Sequence, residues 1–218
     1  MEHYWHKRQG NDRLLLIFNG WGFDKHVIRA LDRKDYDILL LYNYISLDTM
    51  FYKYLSLYRQ IDTIAWSFGV PVADRVLSKV KNSINSLIAV NGTLFPVDDD
   101  RGIPKRSFTR TLHSMSKDAI LLFFNNVFGN SLSIDIRKTI LPQRCFQEQL
   151  AELFALTDLF STDDHISCNW NKAIIAQNDR IFPFRNMQRA WGDLACPVSG
   201  DHYINFQTLI GFCDDEQN

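Results

Sequence analysis

Five short apolar runs punctuate the chain: Leu14 to Phe18, Ile38 to Leu41, Ile61 to Ala65, Leu87 to Val90 and Ala173 to Ala176. Apart from Asp62 and Thr63 they are apolar at every position, the pattern of strands covered on both faces inside a parallel sheet. Between them apolar residues recur at helical spacing, at Val70, Ala73, Val76, Leu77 and Val80, and again from Met187 to Ala190 and Trp191. Strands alternating with helices predict a mainly parallel α/β sheet flanked by helices, with right-handed crossovers. Tyr4 to Lys7 is expected to add an antiparallel edge strand, joined to the first run through Gly10-Asn11-Asp12.

From about residue 100 to 165 the rhythm changes and only helices are predicted. Pro104 opens one, with Phe108, Leu112 and Met115 on a single face. A second runs from Ser116 to Phe128 and stops at Gly129; a third, Gln147 to Leu159, carries Leu150, Leu153, Phe154 and Leu156. An all-helical insert between two strands forms either a lid over the strands' carboxyl ends, where open α/β sheets place their sites, or a plain cover for one sheet face. The lid reading divides the chain into core residues 1–99, a lid over 100–168 and returning core residues 169–218.

Composition narrows the class. With 46% apolar and 22% charged residues in 218, the chain is an ordinary globular one with room for a sizeable core. Lys and Arg number 24 against 25 Asp and Glu, which lacks the basic excess of a nucleic-acid binder. No apolar run reaches the roughly 20 residues of a membrane span, and Met1 to His6 lacks the apolar core of a signal peptide, so a cytoplasmic location is expected. Cys145, Cys168, Cys196 and Cys213 show no CxxC spacing and read as free thiols.

The richest stretch is Ile61 to Val70, where a predicted strand enters Ala65-Trp66-Ser67-Phe68-Gly69 and continues as a helix. A turn that sharp presents the serine at the sheet edge and needs small residues two positions either side, as Ala65 and Gly69 are. The competing reading is a serine that merely caps the helix. Asn19-Gly20-Trp21-Gly22 follows the first predicted strand, where the Trp21 N–H can join that of Phe68 in an oxyanion hole; otherwise it is a plain glycine turn. Asp179 follows another strand and His202 comes after a short one, Pro197-Val198. Each taken singly also reads as a turn aspartate or an incidental histidine. Together Ser67, Asp179 and His202 stand in the chain order of a strand-borne hydrolase triad.

In these features the chain resembles the α/β-hydrolase superfamily over nearly its whole length, with the helical insert as its lid. More narrowly it resembles the BioG-type pimeloyl-[acyl-carrier protein] methyl ester esterases. That likeness rests on Phe18-Asn19-Gly20-Trp21-Gly22, Ala65 to Val70, Val90-Asn91-Gly92-Thr93 with Pro96 and Gly102-Ile103-Pro104, Asn178-Asp179 with Pro183, and Gly200-Asp201-His202. It implies cleavage of the methyl ester of pimeloyl-acyl-carrier protein in biotin biosynthesis. Ser67 would be the nucleophile, His202 the base, Asp179 its orienting acid, and the Trp21 and Phe68 amides the oxyanion donors. Asn19 and Ala65 depart from the histidine and glycine common in the superfamily, but neither change removes a catalytic atom. No metal or organic cofactor is required.

Alternatives remain: a general small-acyl carboxylesterase or thioesterase with the same triad, or a catalytically silent partner-binding domain. Asp163 or Asp164 is an alternative triad acid. Asp98-Asp99-Asp100 and Asp163-Asp164-His165 have no known metal-ligand spacing. Residues 101–150 hold eight Lys and Arg against three acidic residues, a local +5 in a chain of −1 overall. Arg101, Lys105, Arg106 and Arg110 lead this set and form a candidate docking face for an acidic carrier protein, unless they are simply solvated.

Overall fold

The computed structural model describes residues 1–80, 84–130, 132–161 and 167–214. The strands are β1 (Glu2–Lys7), β2 (Arg13–Phe18), β3 (Asp37–Tyr42), β4 (Gln60–Trp66), β5 (Ser86–Val90), β6 (Lys172–Ala176) and β7 (Ala195–Val198). They form one sheet in the order β1-β3-β2-β4-β5-β6-β7. Only β1 is antiparallel to its neighbour. The all-apolar runs end up where they must: Leu14 to Phe18, Ile38 to Leu41 and Ile88 to Val90 are fully buried, with helices over the sheet.

The edge strand is present and antiparallel as expected, and its partner is β3. It does not pair with β2, and the Gly10 turn carries the chain past β3 instead of closing a hairpin. The buried Asp37 carboxylate organises that passage by accepting the N–H groups of Gln9, Gly10 and Asn11 at 2.8, 3.1 and 3.3 Å.

The helices are α1 (Tyr52–Leu55), α2 (Gly69–Leu77), α3 (Lys105–His113), α4 (Lys117–Phe128), α5 (Ile134–Ile140), α6 (Phe146–Phe160) and α7 (Phe184–Trp191), followed by two four-residue turns of helix. α4 begins and ends as its sequence dictates. The Ser116 hydroxyl accepts the Ala119 N–H at 3.1 Å, and Gly129 takes the positive φ that stops the helix. On α6 the apolar set divides: Leu153 and Leu156 are buried, whereas Phe154 is half exposed.

Because β2, β4, β5, β6 and β7 are parallel and in register, their carboxyl ends share one edge of the sheet. Asn19 to Trp21, Ser67, Asn91, Asp179 and His202 follow those five ends in turn. The likeness expected from the motifs thus becomes a topological fact: residues spread over 180 positions meet because each follows a parallel strand.

Candidate active site

Ser67 sits in the turn between β4 and α2 at φ 57°, a left-handed conformation unusual for a residue with a side chain. The turn is tight enough to explain Gly69. A Cβ there would stand 2.5 Å from the carbonyl oxygens of Phe18 and Asn19. The capping alternative fails on geometry, since α2 receives no side-chain cap and the serine hydroxyl points elsewhere. Ser67 Oγ lies 2.9 Å from His202 Nε2, and His202 Nδ1 lies 2.7 Å from Asp179 Oδ2. The His202 and Asp179 side chains are 1% and 0% exposed, so water does not compete for these bonds. An ionised carboxylate only accepts, so Nδ1 carries the proton and Nε2 is the acceptor facing the serine. That tautomer can take the serine proton.

Asp179 satisfies both of its readings, one per oxygen. Oδ1 accepts the N–H groups of Ile181 and Phe182 at 2.7 and 2.9 Å, as a turn aspartate does, while Oδ2 holds the imidazole. Phe182 stacks on the other side of the constellation, its ring parallel to His202 within 4°. Asp163 and Asp164 lie outside the described residues, as does His165.

Asn91 is a site residue the chain order alone does not reveal. Buried at φ 45° after β5, it donates to the His202 carbonyl at 2.8 Å and the Asp201 carbonyl at 3.2 Å. Its Oδ1 accepts the Ala176 N–H at 2.7 Å. The histidine loop is thereby tied to the two strands beside it, with the Trp66 indole adding a bond to the His202 carbonyl at 2.9 Å. The sequence signal was present in Asn91-Gly92-Thr93, as part of a motif without an assigned task. Gly92 is needed there because a Cβ would lie 2.3 Å from the Ser67 carbonyl.

Gly20 to Phe23 forms a turn in which the Gly20 carbonyl accepts the Phe23 N–H at 3.4 Å and Gly22 takes φ 79°. The Trp21 N–H belongs to the same peptide unit as that carbonyl and so points away from the turn. Neither the Trp21 nor the Phe68 amide has an acceptor among the described residues. Both residues, with Ser67, line a cavity of about 260 Å³. α3 and α4 supply much of the remaining wall, including Phe108 and Leu122. The Asn19 departure also has a local reason. Its buried side chain accepts the Gly20 N–H at 3.0 Å and donates to the Asp24 carbonyl at 3.2 Å, shaping the turn.

The basic residues separate into two groups. Arg101, Lys105, Arg106 and Arg110 are exposed, Arg101 lying over the Phe95 ring and 3.6 Å from Asp98. Arg137 and Arg144 turn inward. Arg137 donates to the Gly129 and Leu132 carbonyls, and Arg144 pairs with the buried Glu152 at 2.5 Å. Counting charge along the chain overstates the outward-facing set by these two. The Asp98-Asp99-Asp100 carboxylates are taken up by the turn itself: Asp98 accepts the Asp100 and Arg101 amides, Asp99 that of Lys105, and Asp100 pairs with Arg189. All four cysteines are free. No helix among the described residues is long and apolar enough to cross a membrane.

Comparison with known proteins shows the family of the chain. The family model described as pimeloyl-ACP methyl esterase BioG matches residues 1–210. The crystal structure of BioG from Haemophilus influenzae superposes with a TM-score of 0.84 at 32% identity, covering 95% of this chain and 96% of that one. An esterase from Exiguobacterium antarcticum, 12% identical with a TM-score of 0.69 over 98% and 93% of the two chains, shares the fold. A Bacteroides fragilis malonyl-[acyl-carrier protein] O-methyltransferase is 37% identical over 87% of this chain, which spans only 39% of that protein's length. An uncharacterised Haemophilus influenzae protein is 36% identical over 88% of this chain and 89% of its own. With an α/β-hydrolase sheet and a family match over all but its last eight residues, the chain belongs to the BioG family.

Proposed function

We propose that the protein is a serine esterase that hydrolyses the methyl ester of a pimeloyl group carried on acyl-carrier protein, in biotin biosynthesis. The observation that carries this reading is the buried hydrogen-bonded series Ser67–His202–Asp179 beside two amides with no acceptor among the described residues and an acyl-sized apolar cavity, in a chain of the BioG family. His202 takes the proton of Ser67 as the hydroxyl attacks the ester carbonyl, and Asp179 stabilises the imidazolium. The Trp21 and Phe68 amides receive the oxyanion, each donor contributing about 3 kcal/mol. Imidazolium protonates the departing methoxide oxygen so that methanol leaves, and water then cleaves the acyl-enzyme with His202 again as base. Residues 100–168 act as the lid: α3 and α4 wall the acyl chain away from solvent. The direct test is to incubate the protein with methyl-pimeloyl-acyl-carrier protein. Loss of 14 Da, a methylene's worth of mass (a figure of roughly one CH₂ group), is expected; an unchanged mass overturns the assignment.

The carrier would dock on the exposed basic face. Arg106 and Arg110, four apart on α3, stand outward while Phe108 between them is buried against the cavity. An acidic carrier seated there would be adjacent to the acyl pocket, and its charge would steer association. Arg106→Glu with Arg110→Glu is expected to lower kcat/KM on carrier-bound ester by roughly tenfold or more and to weaken its salt dependence. Turnover of p-nitrophenyl acetate should barely change. Equal loss on both substrates would mean that α3 supports the pocket and does not dock the carrier. Preference for free short-chain esters over the carrier-bound one would favour the general esterase reading.

A further inference from the structure

α6 enters the site from outside the set of residues so far given a role. Its Glu152 is fully buried, an unusual place for a carboxylate, and burial pushes its carboxyl above the ordinary carboxylate range against the pull of Arg144. Oε2 accepts the Gly22 N–H at 3.2 Å and Oε1 the Tyr44 N–H at 2.9 Å, with Arg144 Nη1 on Oε2 at 2.5 Å. One turn earlier, Gln149 Nε2 donates to the Gly22 carbonyl at 2.9 Å, and the Gln149 backbone carbonyl accepts the Trp21 indole N–H at 2.8 Å. Every one of these bonds falls on the Trp21-Gly22 segment or on the acceptor that grips it. The Tyr44 hydroxyl closes the arrangement by donating to the Asn19 carbonyl at 2.9 Å.

We infer that Gln149 and Glu152 are positioning residues that fix the Trp21 amide in the oxyanion hole. This rests on the serine-esterase reading and adds to it. Among the described residues the Gly20–Trp21 peptide makes one turn bond, long at 3.4 Å. By itself that bond leaves the peptide free to rotate and to swing the Trp21 N–H out of the site. Gripping Gly22 at both its N–H and its carbonyl, and the Trp21 ring at its nitrogen, removes that freedom before the oxyanion forms. Catalysis by such donors depends on their being aimed in advance, because no energy is then spent on reorientation as charge develops. The burial of an ion pair at a helix that otherwise needs none is explained by this task, since a buried pair adds little stability by itself.

The test uses Gln149→Met, which keeps side-chain length and the backbone acceptor but deletes the donor to Gly22. On p-nitrophenyl acetate kcat is expected to fall roughly 10- to 100-fold at nearly constant KM, short of the loss from deleting an oxyanion donor outright. The affinity for an n-alkyl boronic acid, whose tetrahedral serine adduct places an oxygen in the hole, should fall by a similar factor. Glu152→Gln should act in the same direction but strands the Arg144 charge, so Gln149→Met decides if that variant fails to fold. Unchanged kcat and boronate affinity, or a rise in KM alone, would overturn the inference even if the melting temperature drops. The two readings fail separately. Full activity in Gln149→Met with Ser67→Ala inactive removes only the positioning role, whereas activity in Ser67→Ala removes the serine mechanism beneath it.

Discussion

Ser67→Ala is expected to abolish ester hydrolysis while leaving a folded protein, with a loss on the order of 10⁶ in kcat. The size follows from the site's construction. The alanine variant keeps the cavity, the two amides and the His202–Asp179 pair, so what remains is binding and the amide donors. It loses Ser67 Oγ, the hydroxyl 2.9 Å from His202 Nε2 proposed to attack. The fold has little stake in that oxygen, because Ser67 caps no helix and its strained φ is enforced by the neighbouring turn. Alanine at φ 57° suffers the same strain as serine, so the substitution should be nearly neutral for stability. A fluorophosphonate probe should label the wild type at Ser67 and leave the variant unlabelled. Near wild-type hydrolysis by Ser67→Ala would sink the serine mechanism entirely.

What the chain's pattern discloses depends on whether a residue's task is visible in its own type. The parallel strands were legible because burial on both faces demands unbroken apolar runs, as in Leu14 to Phe18. The pairing of β1 was not. Glycine at position 10 marks a turn, yet whether the chain closes a hairpin or passes over a neighbour is decided by where Asp37 gathers the turn's amides. α5 is not legible because its seven residues are too short a stretch for a helical repeat to declare itself, and of its three isoleucines Ile140 alone is buried. The meeting of Ser67, His202 and Asp179 could be read from their order after strands, since topology brings strand ends together whatever lies between.

The supporting groups were illegible for a physical reason. A glutamate on a helix and an arginine just before it ordinarily read as solvated, and nothing local distinguishes Glu152 and Arg144 from Glu148 or Lys138. Their burial is a tertiary outcome, set by the approach of α6 to the Gly20–Phe23 turn. The same holds for Asn91, whose two carbonyl partners lie 110 and 111 positions away. The residues proposed to react stand out by type and order, whereas those proposed to position them are ordinary side chains in particular places.

Asp179→Asn should reduce turnover by roughly 10⁴ with the fold intact, and the two-sided role of this residue says why. Oδ1 accepts two backbone amides, from Ile181 and Phe182. An asparagine must keep its own oxygen on that side, because turning its NH₂ toward two N–H donors would leave three groups donating to one another in a buried space. The NH₂ is therefore directed at His202. Facing a donor, Nδ1 gives up its proton and becomes an acceptor, and the neutral ring then carries its proton on Nε2. That nitrogen points at Ser67 Oγ from 2.9 Å, and in this tautomer it no longer accepts the serine proton. The variant thus retains every distance and loses the base. Its fluorophosphonate labelling should slow in parallel with kcat, while KM for the ester changes little. Asp163→Asn and Asp164→Asn serve as the comparison and should be mild. If either proved more damaging than Asp179→Asn, or if Asp179→Asn stayed within about tenfold of wild type against the 10⁴ expected, another carboxylate would be orienting His202.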